Sequence, residues 1–375
     1  MNDISQKILL VHLYSNGDCL YATAVARQIK HDFPGCNLTW AIASFCKSII
    51  ANNPYVDDIM EIEIVKDDVD NFRKRKKEFY LLKQQGKFDE IFITHLMDTN
   101  LAYYDGCIRS AIFRAYPNPI TVPIQPVLNL YEHEINKAAA FAAENQLQDY
   151  KHIILFEFAP QSRQLHITKE LAISISEKLA ANKEVAIVLS SANTITHPFT
   201  NIIDGSSLTF RETAAITHYC TMLLGCSSGI TWISTSDAAK QLPMVQLINP
   251  AGAWLNPISR DFKRFDLDTG NLIELTEINE TEIVNCMNDA IVNFRAAKEK
   301  YNNEIPVNFK TSRKIIYNLI CYFEFSAIVK HIKINTKVYG NKLSFYLQVV
   351  LGFITAPFKL IKNFLTKKMF KKSIS

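Results

Sequence analysis

Four prolines in ten residues, Pro117, Pro119, Pro123 and Pro126, divide this chain of 375 residues. Proline has no amide hydrogen and fixes its own φ, so such a run fits neither a helix interior nor a central strand. It marks a crossing between domains, and the same rhythm appears on either side of it. Before it, strand-length apolar runs at 8–13, 37–43, 59–65 and 88–94 alternate with helical segments at 19–31, 45–52 and 67–85, and a helix is expected over 103–115. After it, a helix at 132–145 leads into strands at 152–158, 185–190, 220–224 and 243–248, which alternate with helices at 168–182, 209–218 and 230–239. A further helix is expected over 281–300. Strand–helix alternation predicts parallel sheets covered by helices. The expected class is therefore α/β, with one domain over 1–130, a second over 131–305 and a separate segment over 306–375.

Hydrophobic residues make up 48% of the chain, enough for a core in each domain. The eight cysteines are scattered and form no CxxC pair, and no histidine falls at a metal-ligand spacing beside them. Free thiols in a reducing compartment are expected, with a disulfide or zinc framework as the alternative. The polar stretch Met1–Lys7 runs straight into the first strand with no signal peptide ahead of it, so a cytoplasmic location is expected. Charge separates the last segment from the rest. Residues 308–375 hold 13 Lys/Arg and a single acid, Glu324; the first 307 hold 28 Lys/Arg against 36 Asp/Glu. An acidic body argues against nucleic acid as a partner. The basic segment includes 16 uncharged residues, Leu343–Phe358, too few to span a bilayer. An amphipathic helix on an anionic membrane surface is expected, with a helix packed on the body as the alternative.

Candidate functional residues gather where strands end. The first strand breaks at Ser15–Asn16–Gly17–Asp18 and opens a helix. Ligands of α/β proteins collect at such turns. Asp18 is the carboxylate there, either a catalytic base or a helix cap. The small-residue loop Gly225–Cys226–Ser227–Ser228–Gly229–Ile230–Thr231 follows a strand of the second half. Its amides and hydroxyls suit a phosphate; the alternative is a tight turn that needs small residues. Ser162 and Arg163, and Ser191, follow two other strands of that half, and Arg163 suits an anion. His95 follows the fourth strand and is a candidate on the first domain. His12, inside the first strand, is expected to be a core histidine. The run Arg73–Lys77 is expected to be a solvated helix face.

The segment Ile8–Thr23, a strand, an SNGD turn and a small, apolar helix, resembles the opening of family 9 glycosyltransferases, the lipopolysaccharide heptosyltransferase group. Phe33–Pro34 and Asn53–Pro54–Tyr55–Val56–Asp57 continue the resemblance, and Ser207–Ala239 resembles the family's second motif. The likeness covers roughly residues 6–250. It departs at Ser227, where the family has Asp, and at Trp232, where it has His. The family's Lys in the loop after the first strand of the second domain has no counterpart among Ser162–His166.

The resemblance implies the GT-B fold, two Rossmann-like domains facing a cleft, with a bacterial, inverting and metal-independent glycosyltransferase activity and no cofactor. It makes Asp18 the general base. Ser15, Asn16, Gly17 and His95 fall on the acceptor side, and Ser162, Arg163, Ser191, Ser227, Ser228, Gly229, Ile230 and Thr231 on the donor side. The implied partners are a nucleotide-sugar donor of heptose or another hexose-like sugar and a glycolipid or oligosaccharide acceptor. Residues 308–375 would hold the chain on the inner face of the plasma membrane. Two rivals share the fold: a catalytically silent scaffold, favoured by the altered second motif, and a nucleotide-sugar epimerase.

Overall fold

A computed structural model describes residues 5–159, 165, 167–252 and 257–372, with side chains through residue 357. The first unit runs β1 (Lys7–Val11), α1 (Asn16–Asp32), β2 (Asn37–Ala43), β3 (Asp58–Ile62), α2 (Val69–Gln84), β4 (Glu90–Ile93) and α3 (Ile108–Ala115). Its four strands are all parallel, in the order β3-β2-β1-β4. Ile8 pairs with Leu38 on one side and Glu90 on the other. Ile8 to Val11 are fully buried, as an inner strand covered on both faces requires.

The second unit begins with α4 (Glu132–Glu144) and continues through β5 (His152–Glu157), α5 (Lys169–Ala180), β6 (Val185–Ser190), β7 (Ile202–Asp204), α6 (Phe210–Ile216) and β8 (Met222–Gly225). Then come α7 (Gly229–Ile233), β9 (Met244–Leu247), α8 (Ile258–Arg264), β10 (Leu272–Leu275), α9 (Glu280–Val292) and α10 (Phe294–Tyr301). Its six strands are parallel in the order β10-β9-β8-β5-β6-β7. The order in which strands are laid down across each sheet reverses once, between β1 and β4 and between β5 and β8. Ligands of open α/β sheets bind at such switch points, beyond the carboxyl ends of the strands.

Several boundaries differ from the sequence expectation. The helix expected over 103–115 starts only at Ile108, behind a 3-10 turn at Asp98–Tyr103. The one expected over 281–300 breaks at Asn293, whose side chain accepts from the Ala296 N–H and starts a new helix. The one expected over 230–239 ends after Ile233. Strand β10 and helix α8 were not expected. Thr168 and Thr209 cap α5 and α6 through their hydroxyls.

One apolar core runs through both units. It joins Leu10, Val25 and Trp40 of the first to Leu155, Val188 and Leu223 of the second. A second core covers the other face of the six-stranded sheet, with Ile154, Phe156 and Leu224 against α5 and α9.

The basic segment forms α11 (Lys310–Cys321), α12 (Phe325–Tyr339) and α13 (Leu343–Lys372). Ile315, Ile328, Phe345 and Val349 share a core with Ala102 and Tyr104 of the first unit. His331 and Asn335 bond to the carbonyls of Ala102 and Tyr104 at 3.2 and 3.1 Å. Arg73 bonds to Glu324 at 2.7 Å and also clasps Asp98, so the basic face of α2 is partly packed rather than wholly solvated. The segment therefore has a packed side over its described side chains, as the alternative reading expected. Among the described residues no helix is long and apolar enough to cross a membrane.

Candidate functional site

Ser15 holds the N-cap position of α1 with a left-handed φ of 73°, and its side chain makes no capping bond. The Cys19 N–H donates to the Ser15 carbonyl at 2.8 Å and starts the helix. Asp18 lies in the first turn without capping it. Among the described residues no hydrogen bond or ion pair meets its carboxylate. Burial pushes that carboxyl up to about 7. The helix-cap alternative therefore fails, and a carboxylate poised near neutrality is left at the carboxyl end of β1. Beside it, the Asn16 side chain accepts from the Cys46 thiol at 3.2 Å.

At the other switch point, β8 ends in the Gly225–Thr231 loop. Much of the hydrogen-bonding capacity of this loop is already used. The Cys226 N–H donates to Glu157 at 2.9 Å, the Ser227 N–H to the Gln246 side chain at 2.9 Å, and the Ile230 N–H to the Ser228 hydroxyl at 3.2 Å. The buried Thr231 hydroxyl donates to Gln246 at 3.0 Å. Ser227 takes a left-handed φ of 52°. Helix α7 has only five residues, so its dipole contributes little, and any anion here depends on local amides.

The fold brings these two turns together. A Cβ added to Gly17 would sit 3.3 Å from the Trp232 ring, and one added to Gly229 would sit 3.6 Å from the Asn16 side chain and 3.1 Å from Phe210. Both glycines permit a close approach that larger residues would obstruct. Trp232 meets Tyr21 edge-on at 4.8 Å. Behind them Arg109 of α3 pairs with Asp261 of α8 at 3.2 Å, both almost fully buried, and its guanidinium lies over the Tyr21, Trp232 and Phe265 rings. Arg211 of α6 clasps Glu134 and also reaches the carbonyls of Ser48 and Ala51 in the first unit.

The remaining candidates are scattered. His95 is buried against His12, Tyr14 and Phe72, with neither ring nitrogen bonded. Burial lowers it to about 3, so it is neutral and set back from the surface of the turn. His12 is a core residue as expected, with Nδ1 against the Thr94 hydroxyl at 3.1 Å. Ser191 follows β6 and accepts from the Asn193 N–H at 3.1 Å. Ser162 and Arg163 lie outside the described residues. Two recesses of about 460 and 510 Å³ lie away from Asp18, one beside Arg260, Lys263 and Lys298, the other beside Leu130, Ile135 and Tyr219. Among the described residues no three His, Cys, Asp or Glu side chains gather within metal-binding reach.

Glu157 was missed from the sequence, although a carboxylate inside the apolar strand HIILFEF was a signal. It is 2% exposed and holds the Cys226 N–H and the Ser228 hydroxyl. Burial raises it to about 7 against those two bonds. The unfolded chain ionises this group near its ordinary value, so stability falls as pH rises from about 4.5 to about 7. Glu157→Gln should remove that loss. Urea unfolding should show the variant more stable than wild type at pH 8, by up to about 3 kcal/mol, and unchanged at pH 4.5. An equal effect at both pH values would contradict the buried-carboxyl assignment.

No protein-family model matches the sequence, and no curated protein matches it. Solved structures do match. A glycosyl transferase of family 9 from Veillonella parvula is similar over 76% of this chain and 97% of its own, at 14% identity and a TM-score of 0.52. The ADP-heptose LPS heptosyltransferase II of E. coli is similar over 77% of this chain and 99% of its own, at 13% identity and a TM-score of 0.50. A putative UDP-N-acetylglucosamine 2-epimerase from Listeria monocytogenes is similar at 10% identity, over 86% of this chain and 97% of its own, with a TM-score of 0.46. The fold is GT-B, as the sequence resemblance implied: two parallel-sheet α/β domains with their switch points opposed, shared with family 9 glycosyltransferases and heptosyltransferases.

Proposed function

We propose that this chain transfers a heptose or another hexose-like sugar from a nucleotide-sugar donor to a hydroxyl of a lipid-linked or lipopolysaccharide-type acceptor, with inversion. The carrying observation is the Asp18 carboxylate, unpartnered among the described residues and raised by burial to about 7. A base works best with a pKa near the working pH. Asp18 takes the proton of the acceptor hydroxyl as its oxygen attacks the anomeric carbon, and the nucleoside diphosphate departs from the opposite face of the sugar. Ser15–Gly17 serve the acceptor side. The Ser227–Thr231 turn, with Ser162, Arg163 and Ser191, serves the donor and stabilises the charge that develops on its diphosphate. The two turns touch, through Gly17 and Trp232 and through Gly229 and Asn16, so in this reading ligand entry requires these turns to separate. The site faces the cytoplasm in this reading, where nucleotide sugars are made.

A thermal-shift screen against nucleotide sugars tests the donor half. One nucleotide class should raise the melting temperature, since a ligand that binds only the folded state stabilises it in proportion to ln(1 + [L]/Kd). No shift with any member at millimolar concentration would favour the silent scaffold.

A further inference from the structure

Helix α13 is apolar on two opposite faces. Phe345, Val349, Gly352 and Ala356 repeat at helical spacing and are buried. Gly352 lets α13 approach α11 closely, since a Cβ there would lie 2.8 Å from Ile316. Leu343, Leu347, Val350 and Ile354 repeat at the same spacing two residues out of phase, roughly 200° around the helix. These four and Phe353 are 44–83% exposed. A helix that is apolar all round belongs in an apolar setting on every side.

Charge selects what covers the open face. Leu343–Phe358 carries no charge; Lys342 precedes it, Lys359 and Lys362 follow it, and no acid occurs after Glu324. A second copy apposed through this face would bring like charges together. An anionic bilayer meets both features, because apolar side chains enter the acyl boundary while lysines stay among the headgroups. The described helices are not long and apolar enough to cross, so a bilayer contacted through this face would carry α13 in its plane.

We propose that the Leu343, Leu347, Val350, Phe353 and Ile354 face of α13 docks on an anionic lipid surface. Because α11 and α12 are packed on the first domain, a docked α13 fixes that domain, and the Asp18 turn within it, relative to the bilayer. The inference deepens the transfer reading, since it supplies the surface on which that reading's lipid-linked acceptor is met.

The test is flotation of the full chain with phosphatidylcholine vesicles, with and without 30% phosphatidylglycerol. Binding to the anionic vesicles should exceed that to the neutral ones at least tenfold and weaken at 0.5 M salt. Leu347→Glu with Ile354→Glu should reduce it more than tenfold with an unchanged melting temperature, because both positions are exposed. Should that variant melt early, Leu347→Trp serves instead: its difference emission against wild type should shift to the blue on adding anionic vesicles. No flotation with anionic vesicles, no blue shift, or a lipid-free dimer broken by the same substitutions would overturn the proposal. Asp18→Asn should float like wild type. Flotation without turnover leaves this surface standing and removes the transfer reading; turnover without flotation does the reverse.

Discussion

Asp18→Asn should lower kcat for sugar transfer about a thousandfold, in the middle of the range for losing a positioned general base. Asparagine keeps the shape and removes the basicity. Donor binding, on the other domain, should change less than about twofold in a thermal-shift titration. Stability provides the control. The folded Asp18 carboxyl, near 7, lies above its unfolded value, so the ionised group destabilises the fold as pH rises from about 4 to about 7. Asp18→Asn should therefore be more stable than wild type at pH 8 and equal to it at pH 4. Loss of turnover in a more stable protein separates chemistry from unfolding, and it is the trade-off expected where an active site holds a destabilised group. A variant that turns over normally would remove Asp18 from the mechanism.

Arg109→Met should destabilise the chain by about 3 kcal/mol at pH 8, since breaking a buried ion pair strands its partner. The methionine still packs against Tyr21, Trp232 and Phe265, so most of the loss reports the charge. Asp261 is fully buried, and burial already raises its pKa even with Arg109 alongside. Without the guanidinium it rises further, and a proton can neutralise it in mildly acidic solution. The urea loss should therefore be smaller at pH 5 than at pH 8, and Asp261→Asn should restore most of it in the Arg109→Met background. Equal losses at both pH values would show that packing, not charge, dominates this cluster. On the proposed function turnover should fall as well, because the rings beneath Arg109 support the contact of Gly17 with Trp232 at the Asp18 turn.

The two parallel sheets were legible because their inner strands, such as Ile8–Val11 and Val185–Leu189, are continuous apolar runs; the short β10, interrupted by Glu274, was not. The proline run lies in the chain between the last strand of the first sheet and the first strand of the second. Asp18 was legible from its place at a strand end, but not its lack of a partner, which depends on residues far away in sequence. The same limit explains His95: a post-strand histidine looks available until Tyr14 and Phe72 fold over it. The Arg109–Asp261 pair spans two domains and leaves no local pattern. In the basic segment, composition showed the lysines but not the 229-residue separation at which His331 meets Ala102. Helix α7 was over-extended because the small residues after Ile233 suit a helix as well as the turn that follows. Trp232 is the most instructive departure. Set against the family motif it replaces a histidine; in the fold it packs against Gly17 and Tyr21, next to the Asp18 turn.

The decisive measurement is the pH profile of kcat/KM for transfer between pH 5.5 and 9, using a stabilising nucleotide sugar and a glycolipid acceptor. Wild type should rise with unit slope to a plateau above about pH 7, as the Asp18 carboxyl ionises, and Asp18→Asn should show only a flat residue of activity. A shared profile and rate in the two proteins would contradict the assignment of Asp18 as the base.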